Sequence, residues 1–325
     1  MTIVDDLEAL VDTELFSGVV WLGGPTRFGV AGGFADRANQ RPNSRSTRFA
    51  TASGTKGFTA LATMSLIEDG ALTPDTTVRS IVGDDLPNVD ETVTIEHLLS
   101  HRSGIGDYLD EDELDHIDAH ILDRSAHEFT TPCDFVPLLA VPAQKQPPDE
   151  TFTYNNSGFM ILSVIIERLT GSFVDTISAR VFEPAGMINS GFFRSDDLPP
   201  DTALGYLENG RTNVFHLPVV GGGDGGAYVN VEDLDRFWTA VLDGRVVSAD
   251  AITMMTNPRS ADNETTSYGL GFWLSATGDH VWLEGMDAGV SMQTGVRRST
   301  GERYSVLANT SAGAWPLVKR ITDGW

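Results

Sequence analysis

The sequence predicts a mixed α/β fold of the α+β type, in which strands from both ends of the chain share a sheet and a mainly helical region is inserted between them. Three observations carry this expectation. Strand-like patterns gather near the start and again after Gly225, the stretch from about Pro74 to Met187 carries few of them, and helical periodicity frames both groups. The expected organisation is one domain, with an α/β subdomain at about 1–73 and 188–325 and a helical subdomain at about 74–187. At 325 residues with 41% apolar content, the chain is long enough to bury a sizeable core.

Taken in order, Leu7, Leu10, Val11 and Leu15 recur at helical spacing across Asp5 to Phe16. SGVVWLGG and TRFGVAGGFA then read as two short strands joined by Gly-Gly-Pro. From Thr51 to about Asp69 a helical face is carried by Phe58, Leu61, Ala62, Met64, Ser65 and Leu66, and Gly70 ends it. TIEHLLSHRSG and FMILSVIIERLTG are the clearest segments of the helical middle. Beyond Gly225, AYVNVEDLDRFWTAVLDG reads as a short strand followed by a capped helix. YGLGFWLSA, DHVWLEG, GVSMQTGVR and ERYSVLANTS read as strands, and WPLVKRITDGW as a closing helix. No internal repeat and no low-complexity tract occurs.

Charge excludes some partners. Against 22 Lys+Arg stand 46 Asp+Glu, a net charge of −24, which disfavours binding to nucleic acid or to an anionic membrane surface. A single cysteine, Cys133, rules out an internal disulfide and any cysteine-based metal cluster. The N-terminal MTIVDDLEALVDTELF has neither a basic nor an apolar signal region, and no run of about 18 apolar residues is present, so a cytoplasmic location is expected. Nothing in the sequence speaks to oligomeric state.

One of only three lysines lies in Ser53-Gly54-Thr55-Lys56. On a helix, residues i and i+3 share a face, so the Lys56 amine can reach the Ser53 hydroxyl and, once desolvated enough to lose its charge, take its proton. The spacing by itself leaves open an ordinary cap serine followed one turn later by a solvated lysine. His116 and His120, at i and i+4, have the spacing of a metal pair, but no Glu of a zincin motif lies between them, and a solvated acidic face is the simpler reading. The run Gly221 to Gly226 lacks the Gly-Lys-Ser/Thr that would make it a phosphate cradle.

The surroundings of Ser53 are more specific. RFATASGTKGFTALATMSLIEDGALTPDTTV, TIEHLLSHRSGI, FTYNNSGFMILSVIIERLTG, VFEPAGM and GGGDGGAYVNVEDLDRFW resemble, in the same order, landmarks of the serine β-lactamase and penicillin-binding-protein superfamily. The likeness is to its class C β-lactamase, esterase and D-aminopeptidase branch, and it covers roughly Phe16 to Arg320. It implies a β-lactamase/transpeptidase-like fold, an antiparallel sheet from both termini flanked by helices with an inserted helical region. It also implies that Ser53 is the nucleophile, Lys56 its partner, and Tyr154 and Asn156 the two ends of the Y-x-N motif. Tyr154, beside the Lys56 ammonium, would then have a depressed pKa and share the base and acid roles, and Asn156 would hold a substrate amide. His97 and His101 match a stretch that serves packing and turn formation.

The third landmark departs from the pattern. The family carries K-T-G or H-x-G on a strand lining the site, and the following Ala-Gly aligns Leu283-Glu284-Gly285 there. Leu283 then stands where a cation receives the carboxylate of a β-lactam or a terminal D-alanine, and strand alternation turns His280 away from it, to the face of Trp282. The amides of Ser53 and Met286 are the expected oxyanion donors. The resemblance therefore implies a serine hydrolase working through an acyl-enzyme, without metal or organic cofactor, on a small uncharged ester or amide. β-Lactamase, D-Ala-D-Ala carboxypeptidase or D-aminopeptidase activity is the alternative, and a non-catalytic binding or sensor module is the alternative of another class.

Overall fold

The computed structural model describes residues 2–14, 16–111, 114, 116–122 and 124–323. Leu15, the acidic residues Asp112, Glu113 and Asp115, and the final Gly324-Trp325 lie outside the described residues.

The sheet draws on both ends of the chain. It comprises β1 (Gly18–Gly23), β2 (Phe28–Gly32), β3 (Ser260–Ala261), β4 (Thr266–Tyr268), β5 (Trp273–Ser275), β6 (His280–Asp287), β7 (Val290–Arg297) and β8 (Arg303–Ala308). These eight strands run in the order β2-β1-β8-β7-β6-β5-β4-β3, every neighbouring pair antiparallel. The stretch YGLGFWLSA is two short strands rather than one. Gly271 interrupts it at φ +87°, where an added Cβ would lie 2.2 Å from the Ala60 Cβ, a backbone conformation that only glycine adopts freely.

Alternation along β1 shows how the sheet is covered. Val20 and Leu22 face helices α1 (Ile3–Thr13) and α5 (Trp315–Thr322), packing with Leu7, Val11, Leu317 and Ile321. Val19 and Trp21 face the opposite, larger core, so every residue of β1 is buried. A capping box between Thr2 and Asp5 starts α1, and Arg320 Nε donates to Asp6 Oδ2 at 2.9 Å to join the two helices.

The larger core holds α2 (Thr55–Glu68), α3 (Asn156–Thr170) and α4 (Val231–Leu242). In α2 nearly every residue is buried, so apolar side chains appear all around it, as expected of a helix enclosed by protein. Phe58 of α2 meets Phe182 and Phe237 edge-on at 5.3 and 5.2 Å, contacts worth about 0.5–1.5 kcal/mol each beyond area burial. Asn230 caps α4 by accepting from the Asp233 amide at 2.8 Å. Trp238 Nε1 then donates to Thr294 Oγ1 at 2.8 Å and pins that helix to β7.

Candidate active site

The turn that presents Ser53 is built before α2 begins. Thr51 donates through its amide to Ala227 O at 2.9 Å and through its hydroxyl to the same oxygen at 3.0 Å. Ala52 follows with φ +43°, a left-handed backbone that an alanine adopts only under strain. Residues Ala52–Gly54 then form one turn of 3-10 helix leading into α2. Strand β6 presses on this turn from the other side. A Cβ at Gly285 would lie 2.3 Å from Thr51 O, 2.6 Å from Ser53 N and 2.8 Å from Gly54 N, so only glycine permits the approach.

Lys56 lies in the first turn of α2, 2% exposed. Its Nζ lies 2.8 Å from Ser53 Oγ, 2.7 Å from Asn156 Oδ1 and 3.0 Å from the Asp224 carbonyl oxygen. Two of these partners can only accept. A neutral amine therefore gives its two hydrogens to Asn156 and Asp224 and turns its lone pair to the Ser53 hydroxyl, while an ammonium donates to all three. Burial lowers the Lys56 pKa, and the charges of Asp224, Glu111, Asp107 and Asp287 act in the opposite direction.

Tyr154 and Asn156 are delivered by the start of α3. Asn155 caps that helix, accepting from the Gly158 amide at 2.7 Å. Asp107 accepts from the amides of Asn156 and Ser157 at 2.6 and 2.9 Å, as a carboxylate at a helix N-terminus does. Buried His101 lies under the Tyr154 ring at 4.4 Å, and its Nδ1 accepts from the Asn155 amide at 3.1 Å. The side chain read from sequence as packing thus seats the Y-x-N turn. Asn156 Nδ2 donates to Leu109 O and Glu111 Oε1 at 2.9 and 3.0 Å, which leaves its oxygen to Lys56.

The Tyr154 phenol lies beside the Ser53 hydroxyl and its ring is 5.0 Å from Lys56 Nζ. Its pKa is not depressed, contrary to the expectation from sequence. Burial holds it well above 10, Glu111 and Glu284 push the same way, and the Ser53 hydroxyl only partly opposes them. Tyr154 is therefore a neutral phenol, able to donate or relay a proton.

A second correction concerns Leu283. It is 3% exposed and belongs to the larger core, where its methyls fill the space above Gly57, 2.4 Å from where a Cβ would be. Alternation along β6 puts Val281, Leu283 and Gly285 on the α2 side, and Leu283 lines neither pocket beside Ser53. Glu284 lines one instead. His280 stacks on Trp282 at 4.6 Å, and burial pushes its pKa down to about 4, so it supplies no cation at neutral pH.

Two pockets meet at Ser53, and Glu111, Asn156 and Met286 line both. The outer cleft is walled by Tyr154, Trp273, Glu284 and Gly285. The more enclosed inner pocket is walled by Tyr108, Phe135, Met160, Val219, Tyr228, Asp224 and Asp287. Among the described residues, no arginine or lysine lines either. Burial raises the Asp107 pKa to about 6 and that of Asp287 to about 7. The Tyr108 hydroxyl donates to Asp224 Oδ2 at 2.6 Å and fixes the residue whose carbonyl holds Lys56.

Residues 8–322 match the Beta-lactamase family. The chain belongs to this family. Penicillin-binding protein 4 of Amycolatopsis lactamdurans is 30% identical over 240 residues, 68% of this chain and 59% of that protein. The D-aminopeptidase of Cereibacter sphaeroides strain ATCC 17023 is 29% identical over 245 residues, 71% of this chain and 45% of that protein. The chain spans about three-fifths of the length of its curated penicillin-binding relatives, 58% and 61% for two from Bacillus subtilis. The crystal structure of a penicillin-binding protein from Bacillus halodurans superposes with a TM-score of 0.92 at 34% identity, covering 98% of this chain and 100% of that one. A D-stereospecific amidohydrolase from a Streptomyces species shares the β-lactamase fold at a TM-score of 0.82 and 21% identity, covering 99% and 98% of the two chains.

Within the β-lactamase frame, the S-x-x-K and Y-x-N residues converge as the sequence implied. The acidic residues Asp107, Glu111, Asp224, Glu284 and Asp287 were missed, because single carboxylates carry no signal in a chain with 46 of them. His116 and His120 flank a turn of 3-10 helix, where His116 Nδ1 accepts from the Asp118 amide at 3.2 Å, and His120 lines the inner pocket.

Proposed function

We propose that the protein is a serine hydrolase that forms an acyl-enzyme from a small ester or amide lacking a carboxylate. The observation that carries this reading is the Lys56 tripod. Two fixed acceptors hold Nζ 2.8 Å from Ser53 Oγ, so loss of one proton aims a lone pair at the hydroxyl without moving a heavy atom. Lys56 takes the Ser53 proton as Oγ attacks the carbonyl carbon. Tyr154, neutral and beside Oγ, passes a proton to the leaving atom, and water later splits the acyl-serine. The amides of Ser53 and Met286 are the oxyanion donors in this scheme. An anionic substrate finds no arginine or lysine on the pocket walls and meets Glu111, together with Glu284 and Asp287, whose pKa values burial raises, that of Asp287 to about 7.

A fluorophosphonate tests the nucleophile. Intact mass should show one adduct on the wild type and none on Ser53→Ala, and an unmodified wild type would refute the assignment. Turnover of a p-nitrophenyl ester should then exceed that of a chromogenic cephalosporin, whose carboxylate the site repels. Efficient cephalosporin hydrolysis would overturn the charge reading, and a stable acyl adduct without turnover would favour a sensor.

A further inference from the structure

The acyl and leaving portions of a substrate can be assigned to different pockets. The leaving atom must receive its proton from the Tyr154 side, and Tyr154 lines the outer cleft but not the inner pocket. The leaving group therefore lies in the outer cleft, against Trp273, Glu284 and Met286, and the acyl group in the inner one. The cleft's carboxylates are not equivalent. Asp107 is taken up by the amides of Asn156 and Ser157 and Asp110 by Lys145, while Glu111, which lines both pockets, gives Oε1 to Asn156, the side chain that holds Lys56.

Glu284 is held differently. Both donors that reach it, Trp282 Nε1 at 3.1 Å and Gln293 Nε2 at 2.7 Å, bind the same oxygen, Oε2. Gln293 is itself fixed by the Tyr304 hydroxyl. The carboxylate is thus locked in place, while Oε1 takes no donor from the described residues. Beside it Trp273 lies nearly parallel to Tyr154 and to Trp282, at interplanar angles of 11° and 14°, and forms an aromatic wall. Burial raises the Glu284 pKa and its two donors oppose that rise; once ionised, a fixed carboxylate that shares a cleft wall with an aromatic stack is the chemistry that selects an ammonium group.

Resting on the serine-hydrolase reading, we infer that Glu284 and Trp273 form a cation seat for the leaving group, so that the preferred substrates are esters, thioesters or amides of short amino alcohols, aminothiols or diamines. In the reaction the Ser53 Oγ–carbon bond forms as the bond from carbonyl carbon to the leaving heteroatom breaks. The Ser53 proton goes to Lys56, and a proton reaches the leaving heteroatom through Tyr154. The cationic alcohol, thiol or amine departs, and water then releases the acid and restores Ser53.

Three thioesters with the same acyl group test this: butyrylthiocholine, its neutral 3,3-dimethylbutyl isostere, and the butyryl thioester of 3-mercaptopropionate. Thiol release should give kcat/KM about tenfold higher for the cation than for the isostere, with the anion lowest. Glu284→Gln should bring the first two within about twofold of each other. A cation-to-isostere ratio near or below one in the wild type would overturn the seat, as would an undiminished ratio in Glu284→Gln. Binding of choline to Ser53→Ala, followed by tryptophan fluorescence, separates the seat from the chemistry. Saturable binding that 3,3-dimethylbutanol does not reproduce and that Glu284→Gln abolishes supports the seat even if no thioester is turned over, a result that would sink only the hydrolase reading. Absence of choline binding would overturn the seat itself.

Discussion

Replacing Gly285 by alanine adds one methyl group where β6 touches the nucleophile turn. The new carbon would lie 2.3 Å from Thr51 O, 2.6 Å from Ser53 N and 2.8 Å from Gly54 N, against an ordinary contact of 3.4–4 Å. All three neighbours are backbone atoms, so no side chain can rotate aside. Strand and turn must separate by about 1 Å, a displacement that costs on the order of 100-fold when it falls on reacting groups. Overpacking of this kind also costs about 1–3 kcal/mol of stability. Gly32→Ala is the matched control. It meets Phe16 O at 2.6 Å and Val11 Cγ1 at 2.8 Å on the far side of the sheet, and should lower stability without slowing the folded protein. The assay is the second-order rate of fluorophosphonate labelling, read with a thermal melt. Labelling of Gly285→Ala within about threefold of wild type would refute the claim that β6 sets the geometry of Ser53.

Three further outcomes follow from the same geometry. Leu283→Lys places an ammonium in the core above Gly57 and should cost about 3–5 kcal/mol in urea unfolding; a variant as stable as wild type that gains cephalosporin hydrolysis would show that residue 283 reaches the cleft. Tyr154→Phe should slow acylation about 10²–10⁴-fold. Its rate should still fall as pH drops, because protonated Lys56, whose pKa lies below the ordinary 10.5, cannot take the Ser53 proton; a pH-independent rate would argue against Lys56 as the base. Burial raises Asp107 to about 6 and Asp287 to about 7 from the ordinary 3.8, so the fold keeps protons that the unfolded chain loses. This contribution is complete below pH 3.8 and is lost as pH rises through about 6 and 7. Relative to wild type, Asp287→Asn should therefore gain more in melting temperature at pH 7.5 than at pH 5; an equal gain at the two pH values would show that Asp287 ionises normally.

Ser53, Lys56, Tyr154 and Asn156 were legible because their chemistry requires particular residue types in a fixed order. Their surroundings were not. Asp224 contributes a backbone carbonyl, which any residue possesses, and its side chain lay in a glycine run whose obvious question concerned phosphate. The pKa of Tyr154 was read from its neighbouring lysine alone, whereas burial, which sequence does not disclose, outweighs that charge. The place of Leu283 is legible in the strand pattern: the alternation that turns His280 away also puts Leu283 and Glu284 on opposite faces of β6. At the level of fold, the two-ended sheet was visible in the strand patterns, but the break at Gly271 depends on a close approach to Ala60 from α2, a tertiary contact with no local trace.

The two-ended sheet also bears on when the site comes into being. Ser53 and Lys56 leave the ribosome before Asn156, which precedes Asp224 and, last, β6 with Gly285. Until those segments dock, Lys56 has no pure acceptor to direct its lone pair and Ser53 lacks the strand that presses on its turn. On the serine-hydrolase reading, a nascent chain thus carries Ser53 in a dormant form. Acyl transfer to it would become available only on completion of a structure whose defining contacts are among the most distant in sequence.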